Sequence, residues 1–124
     1  MTLVLIVDDN EKNRKLVRDV LRAAGFATLE AETGGQGLTL AAERRPDVIL
    51  MDLRLPDVDG VEVAQRLRSE LQTASIPVVA LSSLPLERGG EWLEAAGFAG
   101  WLEKPIRVRD FPDQVRRYCA EADA

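Results

Sequence analysis

Apolar positions along the chain follow two alternating patterns. Short continuous apolar runs predict five strands buried on both faces, at residues 3–7, 26–31, 48–51, 76–81 and 99–102. Apolar residues at helical spacing predict five helices between and after them, at residues 11–24, 33–45, 61–71, 91–96 and 108–120. This alternation predicts one α/β domain over residues 1–124, a doubly wound parallel sheet of five strands with five helices on its two faces.

The composition is that of an ordinary globular protein, with 46% hydrophobic and 30% charged residues. The apolar runs are too short to span a membrane, and the opening residues lack the basic-then-apolar pattern expected of a signal peptide. Cys119 is the one cysteine, which excludes an internal disulfide and fits a reducing compartment. We therefore expect a cytoplasmic protein with no membrane partner.

The charge pattern argues against several functions. A net charge of −5 with basic residues spread along the helices disfavours direct nucleic-acid binding. One basic cluster, Arg14, Lys15, Arg18 and Arg22, is interpreted as a solvated helix face. Histidine is absent, which excludes His-ligated zinc, Ser-His-Asp triads and phosphotransfer that starts from a histidine of this chain.

Four of the five predicted strands end in polar residues that could serve one site, whereas the second, which ends in Glu30-Ala31-Glu32, shows no matching signal. Asp8 and Asp9 follow the first, Asp52 the third, Ser82 the fourth and Lys104 the fifth. In parallel sheets the carboxyl ends of the strands meet at one edge, where ligands bind near the reversal of strand order. Three carboxylates gathered there raise one another's pKa unless a divalent cation offsets them, and oxygen ligands of this kind suit Mg²⁺.

The adjacent pair Asp8 and Asp9 has two interpretations. Side chains alternate along a strand, so we expect one carboxylate to ligate a metal directly and the other to act through water. Alternatively, Asp9 or Asn10 caps the first helix. Asp57 and Asp59, which precede Gly60, are interpreted as turn residues rather than ligands.

The chain resembles the receiver domain of two-component response regulators nearly from end to end. The matching segments are LIVDDN, DVILMDLRLPDVDG, IPVVALSS and GFAGWLEKP, in the order and spacing of that family. The likeness is closest to stand-alone, single-domain receivers. It implies a flavodoxin-like or CheY-like sheet with strand order 2-1-3-4-5.

The resemblance also implies roles for the acidic residues. Asp52 would be the phosphoacceptor, taking a phosphoryl group from a phosphohistidine on a histidine kinase or a histidine phosphotransfer protein. Asp9, Asp52 and the backbone carbonyl of Arg54 would bind Mg²⁺ directly, and Asp8 would act through a water molecule.

Four further positions are assigned by the resemblance. Ser82 would donate a hydrogen bond to a phosphoryl oxygen, and Pro105 would follow a cis peptide bond. Lys104 would engage the phosphoryl group only after transfer, drawing the loop after the fifth strand toward Asp52. Trp101 stands where Tyr or Phe usually switches rotamer, and its bulkier indole predicts a restricted switch.

Two glycines after the fourth strand predict a short or mobile fourth helix. We expect residues 83–103 to form the phosphorylation-sensitive surface.

The expected function is thus a phosphorylation-controlled switch that binds a downstream protein target, not an enzyme acting on an external substrate. We expect a monomer or a weak homodimer. One alternative is a receiver-like scaffold that binds partners without phosphorylation. Another is a phosphatase of the haloacid dehalogenase type, which is disfavoured because that family requires Asp-x-Asp after its first strand and this chain has Asp8-Asp9.

Overall fold

In the part of the chain that the structure describes, five parallel strands and five helices alternate, as the sequence predicts. The computed structural model describes residues 2–82 and 91–123. The elements are β1 (Leu3–Val7), α1 (Glu11–Ala23), β2 (Ala27–Ala31), α2 (Gly34–Arg44), β3 (Val48–Asp52), α3 (Gly60–Ser69), β4 (Val78–Ser82), α4 (Glu91–Ala95), β5 (Gly100–Glu103) and α5 (Phe111–Asp123). The strands form one sheet in the order β2-β1-β3-β4-β5, which confirms the predicted doubly wound topology.

The sheet separates two hydrophobic clusters. On one face, α1 and α5 pack against the strands through Val17, Leu21, Phe111 and Val115. On the other face, α2, α3 and α4 contribute Ala41, Val63, Ala64, Leu67 and Leu93. The central strands β1, β3 and β4 are buried on both sides, which explains why they read as continuous apolar runs in the sequence.

Several element boundaries differ from the predicted ones by one to three residues. Strand β4 begins at Val78 rather than at residue 76, because Pro77 has no N–H to donate to a neighbouring strand. Helix α5 begins at Phe111 rather than at residue 108. A turn precedes it, in which the N–H groups of Asp110 and Phe111 donate to the carbonyl of Arg107, and Val108 is exposed rather than part of an apolar helix face.

The N-terminus of α2 is held by a residue from a distant loop. The Asp57 carboxylate accepts hydrogen bonds from the backbone N–H groups of Gly34, at 2.8 Å, and Gly35, at 2.9 Å. A Cβ atom at Gly34 would lie 2.5 Å from Val58 Cγ2 and 2.7 Å from Val63 Cγ2, so only glycine permits this approach without displacing those side chains. Asp57 is therefore more than the turn residue suggested by the sequence, since it joins α2 to the loop between β3 and α3.

We expect this cap to make stability depend on pH. Hydrogen bonds from the two glycine N–H groups lower the pKa of Asp57 in the folded protein. The contribution of Asp57 to the free energy of unfolding is therefore fully present above the ordinary Asp pKa of about 4. It is lost as the pH falls through the lower pKa that Asp57 has in the folded protein. In urea denaturation, Asp57→Asn should unfold more readily than the wild type at pH 7, and the difference should shrink in acid. Asp113→Asn, which changes an exposed carboxylate on α5, is the control. A wild-type midpoint for Asp57→Asn at pH 7 would contradict the prediction.

Two predictions fall partly outside the described residues. The described part of the fourth helix is the five-residue segment Glu91–Ala95, and residues 83–90, which include the two glycines, lie outside the described range. Among the described residues, no helix combines the length and the apolar character that a membrane span requires.

Candidate functional site

The polar residues that follow the strands meet at one edge of the sheet. Val7 pairs with Met51, so that Asp8 and Asp52 leave β1 and β3 at the same level. Across β4, Asp52 pairs with Leu81 and Ser82 pairs with Glu103. The strand order reverses between β1 and β3, and the candidate site therefore lies at the position where parallel sheets of this kind bind ligands.

Asp8 is buried within this edge, with only 1% of its surface exposed. Its Oδ1 accepts a hydrogen bond from the backbone N–H of Asn10 at 2.9 Å, and its Oδ2 lies 2.9 Å from the Lys104 ammonium. Asp9 is exposed. The helix cap is supplied by Asn10, whose side chain accepts from the N–H of Asn13. The capping alternative thus applies to Asn10 and leaves Asp9 available at the surface of the site.

Lys104 joins two of the three carboxylates. Besides its contact with Asp8, its Nζ lies 3.4 Å from Asp52 Oδ2. Its backbone N–H donates to the carbonyl of Ser82 at 2.8 Å, which fixes the start of the segment after β5. The ammonium therefore lies beside the carboxylate that the sequence predicts as phosphoacceptor, and its contact with a phosphoryl group stays a prediction.

Asp52 is mostly buried, with 16% of its side chain exposed, and its carboxylate has defined partners. Its Oδ1 accepts from the backbone N–H of Arg54 at 3.1 Å, and its Oδ2 faces Lys104. Burial raises the pKa of Asp52, and the charge of Asp8 acts in the same direction. The Arg54 hydrogen bond and the Lys104 charge partly oppose that rise. A further cation at this edge would favour the ionised, nucleophilic form of the carboxylate.

The acidic residues fit a divalent cation. Asp8, Asp9 and Asp52 each offer a carboxylate oxygen, and these oxygens lie within 4.8 Å of one another. The ammonium of Lys104 offsets only part of three negative charges gathered at one edge. Hard oxygen donors in small number are the ligands with which Mg²⁺ is typically held, the remaining positions being filled by water or substrate.

The other predicted positions lie around this cluster. Ser82 is buried at the end of β4, next to the strand that carries Asp52. The Lys104–Pro105 peptide bond is cis. Trp101 is partly buried and packs against the cluster on the α2, α3 and α4 face. Its rotamer switch remains a prediction. Of the expected phosphorylation-sensitive surface, residues 83–103, the part from residue 83 to residue 90 lies outside the described residues.

One residue at the site was assigned wrongly from the sequence. Arg14 was interpreted as part of a solvated face, but it is buried, and its Nη1 donates to the backbone carbonyl of Asp8 at 2.8 Å. Its partners include Glu30 and Glu32, at the end of β2 and just after it. The signal was present in the spacing, because Arg14, Val17 and Leu21 stand at i, i+3 and i+7 on one helix face.

Comparisons with known proteins agree with this fold and identify a family. The family described as the response regulator receiver domain matches residues 4–116. The chain is 39% identical over 119 residues to the polar-differentiation response regulator DivK of Brucella anthropi, covering 96% of this chain and 97% of that protein.

Two solved structures are similar throughout. Chemotaxis protein CheY4 of Vibrio cholerae superposes with a TM-score of 0.88 at 30% identity, over 95% of this chain and 98% of that one. The second is the receiver domain of a sensor histidine kinase from Pseudomonas aeruginosa, described with a magnesium ion coordinated in its active site cleft. It superposes with a TM-score of 0.87 at 28% identity, over 96% of this chain and 98% of that one. The family match spans most of the chain and includes the residues at the acidic edge of the sheet. This chain therefore belongs to the receiver domains of response regulators.

Proposed function

We propose that this receiver is a phosphorylation-controlled switch in which Asp52 is the phosphoacceptor. The observation that carries the proposal is the position of Asp52 between two kinds of group. The ammonium of Lys104, whose side chain is 14% exposed, lies 3.4 Å from one of its oxygens, and the acidic residues Asp8 and Asp9 lie at the neighbouring strand end. In this arrangement a nucleophilic oxygen lies beside carboxylates that suit a cation and beside an ammonium that suits a phosphoryl group.

The transfer follows from the chemistry of these groups. An ionised Asp52 oxygen attacks the phosphorus of a phosphohistidine, forming the new O–P bond as the P–N bond to the histidine breaks. Negative charge is spread over the three equatorial oxygens of the transferred group. Lys104, whose Nζ lies 3.4 Å from Asp52, would offset part of that charge, and the Ser82 hydroxyl is proposed to donate to one of those oxygens. When bound, Mg²⁺ supplies further charge neutralisation at the phosphoryl oxygens.

The contacts of the acidic residues support different roles toward Mg²⁺. Both oxygens of Asp8 already have partners, Asn10 and Lys104, which suits an indirect role through a water molecule. Asp9 is exposed and is proposed as a direct ligand, together with Asp52 and the backbone carbonyl of Arg54. The N–H of Arg54 donates to Asp52, so that the loop after β3 is held close to the carboxylate.

The proposed partners are a histidine kinase or a histidine phosphotransfer protein as donor and a downstream protein as target. The output would depend on how a phosphoryl group on Asp52 redistributes the contacts of Lys104, whose backbone is bonded to the carbonyl of Ser82. The receiver-like scaffold that binds without phosphorylation remains the alternative. Incubation with acetyl phosphate and Mg²⁺ distinguishes them, because the switch should gain one phosphoryl group and the scaffold none.

We expect Asp9→Ala to abolish Mg²⁺ binding and phosphorylation, whereas Asp8→Ala should only weaken both. The reason is that Asp9 is the exposed carboxylate of the cluster, whereas Asp8 is buried and already bonded to Lys104. Isothermal titration of each variant with MgCl₂ measures the binding. Asp19→Ala, which removes an acidic residue of α1 that pairs with Lys15, is the control. Unchanged affinity in Asp9→Ala would remove Asp9 from the proposed ligands.

A further inference from the structure

We propose that Arg14 is a positioning residue for the metal site, holding the Asp8–Asp9 peptide so that both carboxylates face the edge of the sheet. The inference rests on the proposed function, since it concerns the same site. It assigns to a helix residue a part in Mg²⁺ affinity, although Arg14 contributes no ligand atom itself.

The guanidinium of Arg14 is fixed by groups on two sides. Its Nη1 donates to the carbonyl oxygen of Asp8 at 2.8 Å. Toward β2, its Nη2 lies 3.3 Å from Glu32 and its Nε lies 3.4 Å from Glu30. Only 9% of the side chain is exposed. A planar guanidinium with several donors in a rigid fork serves such divergent partners at once, whereas an ammonium does not.

The Asp8 carbonyl is the point at which the chain leaves the sheet. The N–H of Asp8 still donates to Ala31 on β2, but the carbonyl belongs to the following peptide, which leads to Asp9. Because a peptide group is planar, holding its oxygen also sets the direction of the N–Cα bond of Asp9. In a regular strand adjacent side chains point to opposite faces. Arg14 thus supports the turn that allows two consecutive aspartates to serve one site.

The two glutamates give the guanidinium its orientation from outside the metal cluster. A buried arginine requires compensating charge, and Glu30 and Glu32 supply it at the end of β2. Glu30 also pairs with Arg18 at 2.9 Å, but no contact joins Arg18 to the Asp8 carbonyl. Arg18 is therefore a matched control: it lies on the same helix, carries the same charge and shares a partner, without touching the site.

The experiment compares Arg14→Met with Arg18→Met in the full chain. Mg²⁺ affinity is measured by calorimetric titration with MgCl₂, and folding by the thermal midpoint in EDTA. Both variants should melt below the wild type, since each loses an ion pair. Only Arg14→Met should bind Mg²⁺ more weakly, by about tenfold, the lower end of the range seen when a group supporting a metal ligand is removed. Arg18→Met should stay within about twofold of the wild-type affinity, since it touches no ligand-bearing peptide.

Conservative variants keep the test decisive if Arg14→Met does not fold. Arg14→Lys retains the charge but cannot serve the Asp8 carbonyl and both glutamates together, so its Mg²⁺ affinity should fall between those of wild type and Arg14→Met. Arg18→Lys should bind as the wild type does. Equal Mg²⁺ affinities in the Arg14 and Arg18 variants, with the wild type binding Mg²⁺ and Asp52 phosphorylated, would overturn the role of Arg14 alone. Absence of Mg²⁺ binding and phosphorylation in the wild type would overturn the proposed function and this inference together.

Discussion

Asp52→Asn is expected to abolish phosphorylation of this receiver. The amide keeps the shape of the side chain and an acceptor for the Arg54 N–H, but it lacks the nucleophilic oxygen that forms the bond to phosphorus. The wild type, incubated with labelled acetyl phosphate and Mg²⁺, should gain one phosphoryl group that is stable in acid and labile in base. Asp52→Asn should retain none of that label at the same time points.

The control for this experiment is another Asp→Asn change away from the site. Asp113 lies on α5, with 69% of its side chain exposed, and pairs with Arg116. Asp113→Asn should take up label at the wild-type rate. Uptake by Asp52→Asn at that same rate would show that another residue is the phosphoacceptor. Failure of the wild type to take up any label would favour the scaffold alternative.

Lys104→Met is expected to cause the largest loss of stability among changes at the site, and the loss should depend on Mg²⁺. The ammonium lies 2.9 Å from Asp8 and 3.4 Å from Asp52, and its removal leaves the buried Asp8 carboxylate beside two others. Removing one partner of a fully buried ion pair typically costs about 3–5 kcal/mol. Because Lys104 and Asp52 retain 14% and 16% exposure, we expect about 2–3 kcal/mol in EDTA. Added Mg²⁺ should recover part of it, as a second cation offsets the same carboxylates.

Lys15→Met is the matched control for that measurement. Lys15 also pairs with an aspartate at 2.9 Å, but both side chains are more than half exposed. Its removal should cost no more than about 0.5 kcal/mol, with no dependence on Mg²⁺. Urea denaturation of the wild type and both variants, in EDTA and in MgCl₂, gives the loss in free energy of unfolding for each variant under each condition. Equal losses for the two lysine variants would mean that the contacts of Lys104 do not stabilise the acidic edge.

The chain of secondary structure elements was largely determined by local sequence. The apolar run at residues 48–51 is short and follows Pro46, which favours a strand covered on both faces, and the helical spacing of Val17 and Leu21 buries one side of α1. The errors came at element ends, where backbone chemistry outweighs periodicity. Pro77 cannot donate to the ladder, and the turn before Phe111 leaves Val108 exposed.

The acidic edge was also predictable, because parallel strands place their carboxyl ends together. That rule places Asp8, Asp9 and Asp52 side by side without knowledge of any distance. The rule does not indicate which of the two adjacent aspartates would bind a metal directly and which would act through water. The structure distinguishes them, since Asp8 is buried against Lys104 while Asp9 is exposed.

The contacts that support the site were decided by tertiary structure alone. The spacing of Arg14 with Val17 and Leu21 places it on the buried face of α1, but only the packing of that helix against β2 supplies its partners Glu30, Glu32 and the Asp8 carbonyl. Asp57 reads as a turn residue until the fold brings it to the N-terminus of α2, 23 positions away in the sequence from Gly34. Lys104 meets Asp8 across 96 positions. The spacing of apolar residues indicates which face of an element a side chain occupies. It does not indicate which distant segment of the chain packs against that face, and these contacts depend on that packing.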